Sequence, residues 1–300
     1  MQLFTFSTDQ GMQIGLKKDD TLINLSSALE IYEGNLPENG LALSLFISID
    51  EMLSQGLLNM EFLGKMYKFL EDGGHIPALL IKEMIDFGLP LYDVFKIIAL
   101  GRNYEAHAKE GGHKVAEEPI FFNKVPSIML PHNGEIIYPP GVTRVDHEIE
   151  LAVVIGEVAK DVSVSEAMNY VAGYTIANDI TARDMQKADI AKGHPWFRSK
   201  NFDTFLPIGP YLTPRDAVPD VHNLDMELKV NGETRQKSNT SQMVFKIPEI
   251  ISYISRHMRL LPGDIILTGT PEGISPLAVG DVVEATIEGL GTLKNIVVGQ

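Results

Sequence analysis

Cysteine is absent from this chain of 300 residues. Without thiols there is no disulfide framework, no thiol nucleophile and no thiolate metal site. Any metal must be held by carboxylates, histidine or backbone oxygens. Basic residues are scarce as well: 25 Lys and Arg stand against 40 Asp and Glu, a formal charge of −15. A broad phosphate-binding surface needs clustered cations, as does attraction to anionic lipid, so neither nucleic acid nor a membrane is an expected partner. Tryptophan occurs once, at Trp196. No apolar run approaches the roughly 20 residues of a membrane span; Ile76–Ile81 stops at Lys82. Met1–Gln10 has neither a basic leader region nor a long apolar core. A signal peptide is therefore not expected, and the location reads as cytoplasmic. What is present, 44% hydrophobic and 22% charged, is an ordinary globular composition. The length suits one large domain or two modest ones.

The hydrophobic pattern divides the chain softly near residue 93, into an N-terminal domain over 1–93 and a second domain over 94–300. The first part reads as a smaller α/β domain. Leu3–Ser7 and Met12–Leu16 have strand character, Ser48 with Glu51 forms a capping-box pattern, and a helical run through Met60–Leu70 is stopped at Asp72–Gly74. The second part is strand-rich. Val94–Leu100, Leu151–Ile155 and Gly173–Asn178 read as buried strands, with a helix expected from a Ser163/Glu166 cap to about Val171. Leu224–Val230 and Glu233–Gln236 flank Asn231-Gly232, a strong hairpin signal. Pro248–Met258 is an amphipathic helix, and Asp264–Thr268, Asp281–Ile287 and Thr292–Val298 are strands. Pro262–Ile265 and Val279–Val282 echo one another as a turn-into-strand device rather than a repeat. The expected class is α+β.

Glu148 and Glu150 open the run Glu148–Ile155. Residues two apart in a strand share a face. Carboxylates so placed repel unless a cation lies between them. A hard divalent ion, Mg²⁺ or Mn²⁺, resolves this; two solvated glutamates on an edge strand would as well. Asp179, at the end of Gly173–Asn178, is placed to supply a third ligand or to cap the following helix. Arg183 and Gln186 share a helical face. His107 and Glu110 are likewise three apart, a spacing that suits a carboxylate-oriented imidazole base and equally a solvated surface pair. Gly111 and Gly112 then offer a hinge for a lid. Lys200 sits in the aromatic-rich strip His194–Phe205, as a point charge for a carboxylate or enolate oxygen or simply in solvent. Thr268–Gly273 permits close backbone approach to a ligand or forms a tight turn. His113, His132 and His222 read as surface or loop residues.

Taken in order, Gly101–Tyr104 with His107 and Glu110, Phe121–Lys124, Glu148–Gly156, Gly173–Asp184, Lys200–Asp203 and Thr268–Gly273 strongly resemble the fumarylacetoacetate hydrolase family over about residues 95–298. The resemblance implies mixed β-sheets rolled around a central site, usually in a homodimer. It implies Mg²⁺ or Mn²⁺ on Glu148, Glu150 and Asp179, with His107 and Glu110 as a catalytic dyad on a lid. Arg183, Gln186, Lys200 and Thr270 match positions associated with a substrate carboxylate and oxyanion. Arg102 and Lys124 match motif positions too, with no role beyond lining the site. Asn201 departs from a commoner serine without bearing on Lys200.

Family substrates are small anionic 2-oxo acids. The expected chemistry is a metal-stabilised enolate, with His107 activating water for C–C bond hydrolysis of an acylpyruvate. Oxaloacetate decarboxylation, which needs the same enolate but no water attack, is a close second, and isomerisation or hydration of a 2-hydroxydienoate would also use the metal, with proton transfer replacing cleavage. A non-catalytic metabolite-binding protein on the same scaffold is the alternative from another class.

Overall fold

A computed structural model describes all residues except 10, 36–41, 44–47, 83–84 and 113; His113 lies outside the described residues. The class is α+β, with large mixed sheets.

The main sheet has ten strands. Nine run in the order Thr21–Asn24, Gly11–Lys18, Gln2–Thr8, Leu206–Pro214, Val171–Asn178, Ile149–Ile155, Ile265–Leu267, Ile97–Gly101 and Ile120–Lys124; Met129–Leu130 adds in parallel to Leu206–Pro214. Ile149–Ile155 and Val171–Asn178 are buried at every position. That is why Leu, Val, Ile and Ala run through them without polar alternation. Five further strands form a second sheet in the order Glu233–Asn239, Asp225–Val230, Val282–Ile287, Gly291–Gly299, Glu135–Tyr138. The expected hairpin joins the first two of these. Asn231 and Gly232 have φ of 52° and 81°, the left-handed pair that a two-residue turn matching strand twist requires.

The first residues enter the main sheet directly. Gln2–Thr8 pairs antiparallel with Leu206–Pro214, Leu3 opposite Leu212. The Ser48/Glu51 capping box forms as expected. Asn59 caps the helix Met60–Asp72 through Phe62 N–H, a contribution of about 1 kcal/mol. No α-helix follows Ser163. Its hydroxyl donates to the Glu166 carboxylate at 2.5 Å instead of accepting a backbone N–H, and a 3-10 turn over Ala167–Tyr170 leads straight into the strand at Val171. Among the described residues no helix is long and apolar enough to cross a membrane.

Candidate active site

The pairing of the two central strands sets the carboxylates together. Ala177 lies opposite Glu150 and Asn178 opposite Ile149, so Asp179 emerges beside Glu148, whose carbonyl accepts the Asp179 N–H at 2.8 Å. One carboxylate oxygen from each of Glu148, Glu150 and Asp179 lies within 4.8 Å of the others, and all three residues are buried. Asp179 does not cap a helix. The short strand Thr181–Ala182 intervenes, and the helix Arg183–Ala191 starts with no side-chain cap.

Cations interleave with these acids. The Lys200 ammonium donates to Glu148 Oε2 at 2.8 Å and Asp179 Oδ2 at 2.6 Å. Lys124 Nζ donates to Asp179 Oδ1 at 2.5 Å and to the Lys200 carbonyl at 2.7 Å. Arg183 bonds Glu148 Oε1 through one nitrogen, Asp146 Oδ2 at 2.8 Å through Nε, and Gln186 Oε1 at 2.6 Å. Burial works against a charged Glu148, but Lys200 and Arg183 outweigh it and hold its pKa well below the carboxylate range. Burial likewise opposes the Lys200 charge, and Asp179 with Glu148 overcomes it, so that pKa is raised. Burial wins at Lys124, whose pKa falls despite Asp179.

Glu150 differs from its neighbours. Its Oε2 accepts the Gly269 N–H at 2.6 Å, and among the described residues no cationic side chain pairs with it. Burial first, then the charges of Asp179 and Glu148, push its pKa well above the usual value. The donor set therefore fits a hard divalent cation: three buried carboxylates, one of them deficient in positive charge, and no soft ligand.

The helix Glu105–Glu110 faces this cluster across a cavity of about 490 Å³. His107 Nδ1 lies 3.4 Å from Glu110 Oε2. The Glu110 carboxylate also accepts the Gly273 N–H at 3.2 and 3.3 Å. That anchors the helix to the loop after Ile265–Leu267. A Cβ on Gly273 would fall 2.2 Å from the Arg235 carbonyl, and its φ is +95°, so the close backbone approach requires glycine. His107, Glu110, Glu148, Arg183, Gln186, Lys200 and Thr270 all line the one cavity. Glu150 and Asp179 join them through the carboxylate cluster and Lys200.

Four buried residues escaped the sequence reading. Lys124, set aside as a lining residue, is fully buried against Asp179; it is the one buried position of the strand Ile120–Lys124, so its strand neighbours gave no signal of it. Asp146 binds both Arg144 and Arg183. His147 lies between Gln236 Oε1, 2.9 Å from Nδ1, and Ser275 Oγ, 2.8 Å from Nε2, and burial lowers its pKa. Gln236 makes four bonds. Its Oε1 also accepts the Ile149 N–H at 3.1 Å, and its Nε2 donates to Thr270 Oγ1 and the Pro271 carbonyl, both at 2.8 Å. Nothing local in Glu233–Asn239 announces that role.

The family model for the fumarylacetoacetate hydrolase C-terminal domain matches residues 96–298, and the chain belongs to that family. It is 49% identical to an oxaloacetate tautomerase, described as mitochondrial, of Arabidopsis thaliana, over 66% of this chain and 89% of that one. A fumarylacetoacetate hydrolase from the psychrophile Exiguobacterium antarcticum superposes with a TM-score of 0.82 at 30% identity, covering 100% of both chains. A fumarylpyruvate hydrolase from Pseudomonas aeruginosa, solved with Mn²⁺ and pyruvate, has a TM-score of 0.67 at 36% identity over 73% of this chain and 94% of that one.

Proposed function

We propose that this enzyme acts on oxaloacetate-class 2-oxo acids by enolate chemistry, tautomerising or decarboxylating them, with Mg²⁺ or Mn²⁺ on Glu148, Glu150 and Asp179. The observation that carries this is the convergence of a buried, charge-deficient carboxylate triad and the His107–Glu110 pair on one cavity. Identity to an oxaloacetate tautomerase supports the choice of substrate. A bound divalent cation supplies Lewis acidity toward the 2-oxo carboxylate. Glu110 faces His107 Nδ1, which leaves Nε2 to exchange the proton at the carbon next to the 2-oxo group. Lys200 faces the oxygen on which charge develops, and Arg183, Gln186 and Thr270 hold the carboxylate. Hydrolysis of an acylpyruvate is the second reading, favoured by the same dyad, with His107 Nε2 taking its proton from water. A boundary near residue 93, a homodimer and a cytoplasmic location complete the proposal; the lack of cysteine supports the last.

An ultraviolet assay with Mg²⁺ or Mn²⁺ decides among oxaloacetate, acetylpyruvate, fumarylpyruvate and a hydroxymuconate. Accelerated oxaloacetate enol–keto exchange or pyruvate formation, abolished in His107→Ala without loss of metal affinity, is the expected outcome. Faster acetylpyruvate cleavage supports the hydrolase reading. Full turnover by His107→Ala removes the base, and unchanged Mg²⁺ binding by Glu148→Ala removes the metal site.

A further inference from the structure

The carboxylate cluster leaves two cavity cations unexplained. Arg144 and Arg183 pair with Asp146, Lys200 with Glu148 and Asp179, and Lys124 with Asp179. Arg102 and Lys187 line the same cavity, and among the described residues neither side chain makes an ion pair or hydrogen bond. Glu110, the other carboxylate on the wall, is engaged by His107 and Gly273.

Arg102 is held in this position at a cost. Its φ is 59°, a left-handed conformation that a long side chain seldom adopts and that tends to persist at functional sites. The preceding Gly101 abuts the indole, since a Cβ there would lie 2.6 Å from Trp196. The guanidinium lies 5.7 Å from the Trp196 ring centroid, a cation–π distance. Burial lowers its pKa, with no acid to oppose the shift. Lys187 is four residues beyond Arg183 on the helix Arg183–Ala191, on the same face.

We propose that Arg102, with Lys187, forms a second anion subsite that takes the distal carboxylate of a dicarboxylic 2-oxo acid. The inference rests on the 2-oxo acid reading above and narrows it to diacids. The 2-oxo end occupies the side of the cavity held by Glu148, Arg183 and Gln186. The far end meets a guanidinium lodged against an indole, whose planar edge suits a carboxylate. Leu100, Phe122, Ile190 and Ile274 add apolar surface to the cavity lining. An uncharged distal group packs there but leaves both cations unpaired, so the subsite selects by charge.

Calorimetry with Mn²⁺ and three probes tests this: oxalate, which fills only the 2-oxo end; 2-oxoglutarate; and 5-methyl-2-oxohexanoate, its uncharged-ended isostere. The wild type should bind the diacid at least about tenfold more tightly than the isostere, the scale of one charge-assisted hydrogen bond. Arg102→Asn, a residue that tolerates the left-handed backbone, should erase that preference while oxalate affinity stays within about twofold. Lys187→Gln should reduce it. Equal wild-type affinity for diacid and isostere overturns the subsite, as does a parallel loss of oxalate binding in Arg102→Asn. If that variant does not fold, Lys187→Gln and the wild-type preference decide. Failure of the wild type to bind oxalate overturns the 2-oxo acid reading, and the subsite with it; a missing diacid preference alongside tight oxalate binding overturns the subsite alone.

Discussion

Replacing Lys200 by methionine removes the cation that bridges two buried carboxylates. The Lys200, Glu148 and Asp179 side chains are 3%, 6% and 1% exposed, so water cannot take over the lost contacts. Breaking a buried ion pair by deleting one partner costs about 3–5 kcal/mol. Here each acid keeps a second cation, Arg183 on Glu148 and Lys124 on Asp179, which places the loss near the lower end, about 3 kcal/mol. The deficit should appear in urea unfolding with chelator present. A divalent ion restores positive charge among the same acids. At a hundredfold excess over its Kd it adds about 2.7 kcal/mol, so Mg²⁺ should recover most of the lost stability while turnover stays low. Unchanged stability of Lys200→Met in chelator would refute the bridging argument. A deficit that Mg²⁺ leaves untouched would refute the claim that a cation site and Lys200 serve the same carboxylates.

Three further perturbations test the surroundings. Gly273→Ala places a methyl 2.2 Å from the Arg235 carbonyl, so the loop must shift and release Glu110; turnover should fall at least about tenfold, with metal affinity by calorimetry unchanged. Gln236→Leu strips partners from His147, Ile149, Thr270 and Pro271, and the unfolding midpoint should register a loss of about 3 kcal/mol or more; a loss below about 1 kcal/mol would show the network to be dispensable. His132, which accepts the Lys294 N–H, has its pKa lowered to about 4 by burial and by Lys294. The unfolded chain, with a histidine pKa of about 6.5, binds more protons between those values. Its contribution is therefore full above about pH 6.5 and is lost as pH falls toward 4. His132→Asn should flatten that part of the stability–pH curve, and an identical slope in both proteins would count against it.

The order and spacing of chemical groups were legible without coordinates. Strand periodicity put Glu148 and Glu150 on one face, the helical repeat put His107 beside Glu110, and Asn231-Gly232 marked its hairpin; each depends on neighbours a few residues apart. The failed helix after Ser163 shows the limit even there, since a serine and a glutamate three residues apart can bond one another as readily as the backbone. Only the tertiary structure settled which acids are neutralised and which is not. Lys124 reaches Asp179 across 55 residues, Gln236 reaches Thr270 across 34, and Gly273 reaches Glu110 across 163. Sheet order and backbone approach set these contacts, and local patterning carries no information about either. The same holds for Arg102. Its motif position was visible from the start, but its unpaired charge against Trp196 depends on which acids the fold had already given to other cations.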